Sequence, residues 1–204
     1  MDEEYAAICG ITKEELAEQM AVDIELLAKR RGKTKEETLR DLTDYYDGYH
    51  FTWPSPDVFN PFSLMTAMKK GATGVYWFGS GTPTYLIEIM RKNGIEASMI
   101  GRREAVTADF DAPIETTAST TPLLYQSGYL TIKDCDDDEE EKSYWLDIPK
   151  KEIRTGLMRS LLPYYVPLPP EEGNNTVKNM YRALKKGDME VALTVMQSYL
   201  RSIP

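Results

Sequence analysis

The chain predicts a mainly α fold, multi-helical with one small β-hairpin, in which a winged-helix-like element is followed by a helical hairpin. Three observations carry this. Helix punctuation is dense, with two capping boxes and three cap-plus-proline starts. Period-2 alternation marks two short stretches on either side of an acidic run. The last segment sets apolar residues at helical spacing around a single glycine stop.

Thr12-Lys13-Glu14-Glu15 is a capping box. The threonine oxygen and the glutamate three residues on satisfy free amides at the helix start. The helix it opens carries Leu16, Met20, Ile24 and Leu27 and stops near Gly32. Thr34-Lys35-Glu36-Glu37 repeats the device, and its helix runs through Leu39 and Leu42 to Tyr46, ending at Gly48. Asn60-Pro61, Thr82-Pro83 and Thr121-Pro122 each set a cap residue before proline. Proline suits the first helical position, because its missing N–H would find no partner there. These helices stop at Gly71, at Asn93-Gly94 and, for the short third one, at Gly128.

Residues 129–133 and 143–148 read as strands. Leu130 and Ile132 alternate with Thr131 and Lys133, while Tyr144, Leu146 and Ile148 share one face. A helix follows from Lys150, with Ile153, Leu157 and Leu161 on one side, and ends before Pro163. Residues 166–175 contain three prolines and two acids and read as a linker. The expected organisation is therefore a helical and winged-helix-like part over 1–165, a linker over 166–175 and a helical hairpin over 176–204. In that hairpin one helix stops at Gly187; the next is capped by Asp188 and carries Val191, Leu193, Val195, Met196 and Leu200. Two helices alone do not hide that much apolar surface. The hairpin is expected to pack on the preceding part or on further sequence.

Composition excludes several classes. In 204 residues, 42% hydrophobic and 28% charged, there is enough apolar matter for a core. No stretch approaches the roughly 18 apolar residues of a membrane span. The N-terminus lacks the basic-then-apolar pattern of a signal peptide. Cys9 and Cys135 lie far apart and suggest neither a disulfide framework nor a zinc site, so a reducing cytoplasm is the expected setting. A net charge of −9 argues against a broad nucleic-acid surface. Residues 134–141 hold seven acids in eight positions and read as a solvated loop. They lack the alternating ligands and turn glycine of an EF-hand. Cys135 sits among these carboxylates, which disfavour its thiolate.

No phosphate-binding loop ending in Gly-Lys-Ser/Thr is present. The nearest imitation is Gly79-Ser80-Gly81-Thr82 ahead of a helix start, but Pro83 removes an amide and no lysine accompanies it. Pro56-Asp57 and Glu140-Glu141-Lys142 match the letters of a PD-(D/E)XK nuclease without a buried strand around them. His50 is the sole histidine, so it cannot build a metal cluster. Asp47 or Tyr49 is expected to orient its ring, and no serine or cysteine nucleophile is expected beside it. The residues nominated for ligand or domain contact are Tyr46, Asp47, Tyr49, His50, Gly81 and Thr82. None is nominated as catalytic or metal-ligating. Tyr76-Trp77-Phe78 and Tyr144-Trp145 lack interleaved lysine or arginine, so core packing is expected of them rather than base stacking.

The stretches YYDGYHF, FNPFSLMTAMKKG and VYWFGSGTPTYLIEIM have the look of a family signature. With MDEEYAAICGITKEEL, LLYQSGYLTIKD and ALKKGDMEVALTVMQSYLRSIP they span nearly the whole chain. The chain resembles the C-terminal part of the AAA-ATPase-like domain of bacterial proteins that usually carry a following PD-(D/E)XK nuclease domain. Many AAA-type proteins carry a winged-helix-like element after the ATPase core. The resemblance implies a phosphate loop upstream of Met1 and a nuclease motif downstream of Pro204. ATP and magnesium would belong to that core, with no cofactor in this chain. Its partners would be the ATPase core and the nuclease domain of the same parent, with neither direct nucleic-acid binding nor a membrane expected. The implied role is a non-catalytic accessory region. Two alternatives stand beside it. One is a nucleic-acid-binding winged helix, whose reading helix at 121–127 has no basic residue. The other is a stand-alone hydrolase using His50.

Overall fold

The computed structural model describes residues 3–80, 84–92, 94, 100–111, 120–137, 141–165 and 169–201. Among them the fold is mainly α, with ten α-helices and two small antiparallel sheets. The chain divides into two compact units, Met1–Gly156 and Leu157–Pro204, and the division falls inside a helix.

In the first unit, β1 (Ile11–Thr12) leads into α1 (Lys13–Gln19), α2 (Ala21–Arg31) and α3 (Lys35–Tyr46). Both capping boxes form: Thr12 Oγ1 accepts the Glu15 amide at 3.2 Å and Thr34 Oγ1 accepts the Glu37 amide at 3.1 Å. The single helix expected from Lys13 to Gly32 is two helices. Met20, at φ −117° and ψ 18°, leaves the helical conformation and turns the chain between them. β2 (Val58–Phe59) pairs with β1, and α4 (Pro61–Lys70) begins under the Asn60 cap. Leu16, Ile24, Leu27, Leu42, Tyr46, Phe59, Leu64 and Ala67 form one buried cluster among these elements. α5 (Thr84–Lys92) follows; Gly81, Thr82 and Pro83 lie outside the described residues.

The winged-helix-like element is larger than its expected hairpin. β3 (Arg103–Val106), α6 (Thr107–Asp111) and α7 (Thr121–Gln126) precede β4 (Thr131–Asp136) and β5 (Ser143–Asp147). The sheet order is β3-β5-β4, all antiparallel. Arg103 lies in β3, where its guanidinium is half-buried and donates to Thr120 Oγ1 at 3.0 Å. Four residues are too few for alternation to register. β4 also runs into the acidic segment, with a bulge between Ile132 and Asp134. Asp134 and Asp136 are thus strand residues facing water, held by ladder bonds to β5 rather than by their own propensity.

α8 (Lys151–Tyr165) carries on past Pro163, forgoing one backbone bond. In the second unit, α9 (Pro170–Lys186) begins six residues before the expected Thr176. Pro170 sits at the first helical position and Glu171 and Glu172 in the first turn favour the positive end of the helix dipole. A stretch that reads as linker by its prolines is therefore in large part a helix start. Gly187 caps α9 in the left-handed conformation, and α10 (Met189–Arg201) completes the hairpin.

Candidate functional site

The segment between α3 and α4 forms a closed excursion. The Asn60 amide donates to the Tyr46 carbonyl at 2.9 Å, and Tyr49 and Val58 exchange backbone bonds at 3.2 and 3.1 Å. Gly48 turns the chain at φ 88°. A side chain there would meet only the flexible Lys150 and Lys133 side chains, so it is the left-handed backbone that requires glycine.

Within this excursion His50 is 7% exposed. Its Nε2 lies 2.8 Å from Asp57 Oδ1 and its Nδ1 lies 3.0 Å from Ser55 Oγ. Trp53 meets the ring edge-on at 4.9 Å. The expected orienting residues were Asp47 and Tyr49, and the structure assigns that part to Asp57 and Ser55. Ser55 is also a hydroxyl beside His50, where none was expected. The chain reverses between them, so a spacing of five residues becomes a contact. The Ser55 hydroxyl donates to the Thr52 carbonyl at 2.9 Å, which leaves its oxygen to accept from the ring. Asp57 accepts at the other nitrogen. Each ring nitrogen thus has one oxygen partner.

A charge network surrounds the ring. Lys13 lies 3.2 Å from Asp47 Oδ2 and 3.5 Å from Asp57 Oδ2. Asp47 is fully buried; its Oδ1 accepts the Gly48 amide at 2.8 Å and its Oδ2 has only the Lys13 ammonium. Burial works to raise the Asp57 carboxyl, but His50, Lys13 and Lys133 together hold it below the ordinary carboxylate range. Burial lowers the Lys133 ammonium, whose Nζ donates to the Gly48 carbonyl at 2.6 Å.

These residues fasten the excursion to β4. Thr131 Oγ1 accepts the His50 amide at 2.7 Å and donates to the His50 carbonyl at 2.9 Å. Of the nominated contact residues, Tyr46, Asp47 and His50 are buried. The Tyr46 hydroxyl both donates to and accepts from Gly74, at 3.0 and 2.8 Å. Tyr49 bonds Asn60 and is pushed up by burial. Gly81 and Thr82 lie outside the described residues. The 46–51 turn is thus an internal junction between the helical part and the winged-helix-like sheet.

A cleft of about 400 Å³ opens beside it. Tyr49, Phe51, Phe59, Trp77 and Tyr125 form its aromatic walls, with Asn60 and Gln126 as polar groups. Tyr76-Trp77-Phe78 packs as expected: Tyr76 stacks on Tyr46 at 6.3 Å, and Trp77 and Phe78 both meet Tyr129 edge-on. Glu152 anchors this segment from α8. It is 1% exposed, and Oε1 accepts the Tyr76 and Trp77 amides at 2.6 and 2.9 Å. Burial pushes its carboxyl up. Tyr144 packs on Phe110 at 5.2 Å, but Trp145 is 45% exposed, against the packing expected of it. Adjacent strand residues point to opposite faces, so only one of the pair reaches the interior. Burial, then the Asp137 contact, raises the Cys135 thiol, as its acidic setting implies. Among the described residues no group of three His, Cys, Asp or Glu side chains could hold a metal ion, and no helix is long and apolar enough to cross a membrane.

No family model matches the chain, and no solved structure matches it. An uncharacterised protein encoded in the vnfD 5′ region of Azotobacter chroococcum mcd 1 is 28% identical over all 204 residues. The chain spans 37% of that protein's length.

Proposed function

We infer that the chain is a non-catalytic accessory region of a longer AAA-ATPase-like protein. It packs on the ATPase core and links that core to a PD-(D/E)XK nuclease domain. The observation that carries this reading is the alignment of the whole chain within 37% of a longer relative. The surface of the second unit supports it. Val177, Tyr181 and Leu184 on α9 and Met189, Leu193, Met196 and Leu200 on α10 are each more than 40% exposed, at helical spacing. Such stripes suit burial against further polypeptide. The test is to read the coding DNA on both sides of this segment. An in-frame phosphate-binding loop upstream and a D…E-x-K strand pair downstream are expected. Stop and start signals closing tightly on Met1 and Pro204 would overturn the reading.

A second reading rests on one observation, the Ser55 hydroxyl 3.0 Å from His50 Nδ1 with Asp57 on the opposite nitrogen. In a hydrolase, Ser55 would pass its proton to Nδ1 as Oγ attacks an ester carbonyl carbon and the π electrons move to its oxygen; collapse would expel the alcohol, which takes the proton from Nδ1, and water would then release the acyl group as the acid. That requires a neutral ring and loss of the 2.9 Å contact between Ser55 Oγ and the Thr52 carbonyl, a contact that favours the structural role. Ester turnover by this chain, lost in both Ser55→Ala and His50→Ala, would reverse the preference.

A further inference from the structure

Trp145 stands on the solvent face of the three-stranded sheet, opposite the face that carries Tyr144 and Leu146. Its direct cross-strand neighbours are Glu104 on β3 and Asp134 on β4. Both are exposed. The result is a carboxylate–indole–carboxylate row across the sheet, its neighbours about 5 Å apart at Cβ. Among the described residues no hydrogen bond, ion pair or ring contact engages the Trp145 side chain or the Glu104 carboxylate. Asp134 accepts only the adjacent Cys135 amide, at 2.9 Å. The two lysines of the hairpin are used elsewhere: Lys133 reaches the Gly48 carbonyl and Lys142 pairs with Asp137.

We propose that this row is a docking surface for an arginine-bearing basic segment of a partner protein. An exposed indole flanked by carboxylates matches one kind of side chain. A guanidinium can lie flat on the ring while its edge N–H groups reach the acids on either side. Lysine offers only a point charge and is the poorer fit. The surrounding field selects in the same direction. Seven of the eight residues at 134–141 are acidic and the chain carries −9 overall. That charge speeds the approach of a basic segment and repels phosphate, so a nucleic acid does not suit a ring that could otherwise stack on bases. The proposal does not depend on the ATPase-like reading.

The test is NMR titration of the indole N–H of Trp145, assigned by its loss in Trp145→Phe. The probes are an Arg-Gly-Arg-Gly-Arg peptide, its lysine and citrulline counterparts, and a thymidine oligonucleotide. The arginine peptide is expected to shift the Trp145 signal saturably and to bind at least fivefold tighter than the lysine peptide, with no shift from citrulline. Trp145→Ala and the pair Glu104→Gln with Asp134→Asn are each expected to weaken binding tenfold or more, with far-UV circular dichroism unchanged. Equal binding of arginine and lysine peptides, indifferent to Trp145→Ala, would mean charge attraction alone and would overturn the proposal. A Trp145 shift produced by the oligonucleotide and not by the peptide would overturn it too. The peptide comparison uses the unaltered protein, so it decides even if a variant fails to fold.

Discussion

Glu152 is an ionisable side chain in the interior of the first unit. It is buried, and it accepts the backbone amides of Tyr76 and Trp77. Burial raises its carboxyl above the ordinary range despite those bonds. The sign follows directly. As pH rises through the unfolded carboxyl value, the unfolded chain loses this proton while the folded chain keeps it. Stability therefore falls until the raised folded value is passed. Glu152→Gln keeps an oxygen for both amides and removes the titration. Its stability relative to the parent is expected to improve with pH across that window, as urea denaturation at pH 4.5 and pH 8 would read. Glu152→Ala leaves both amides without an acceptor and is expected to cost about 2 to 4 kcal/mol. A variant with alanine as stable as one with glutamine would show that the amides find other partners.

At the scale of elements, caps and close approaches decide where helices begin and how they sit. Thr34 sets the start of α3 through a reciprocal pair of bonds with Glu37. Thr34→Ala is expected to destabilise the chain by about 1 kcal/mol, and Thr34→Asn to recover most of that, in chemical denaturation. A second case is the approach of Phe78 to α8. A Cβ at Gly156 would lie 2.1 Å from Phe78 Cδ2. Gly156→Ala must displace that ring and is expected to cost roughly 1 to 3 kcal/mol. The smaller side chain in Gly156→Ala with Phe78→Leu should restore part of the loss. If the two changes simply add, the ring is not what the new methyl meets.

For the first unit as a whole, the junction at His50 is the decisive feature. One threonine side chain on β4 satisfies both backbone groups of His50. Thr131→Val keeps the shape and removes both bonds in a site only 1% exposed. A loss of about 2 to 4 kcal/mol is expected. Hydrogen exchange should quicken in the 47–60 excursion and in β4 together. Faster exchange in only one of the two would mean that they are not coupled through this residue. The same excursion carries the Ser55, His50 and Asp57 contacts. A structural role predicts that His50→Ala lowers stability without abolishing any turnover.

The sequence by itself determined the mainly α class, both capping boxes, the glycine stops and the hairpin of β4 and β5. Each rests on bonds or alternation between residues near in the chain, which local chemistry fixes. The tertiary structure alone decided five other features. Met20 leaves the helical conformation between α1 and α2, and the break lets Leu16 on one side and Ile24 and Leu27 on the other enter the same buried cluster. β3 forms because β5 offers it a ladder, not because four residues prefer extension. Pro169-Pro170 opens a helix because the residues after it continue one, although prolines in a row read as linker. The His50 cluster draws on Lys13, Asp57 and Thr131, separated by up to 118 positions, and no spacing rule connects them. Trp145 and Tyr144 are neighbours of like composition, and the pleat alone sends one inward and leaves the other to solvent.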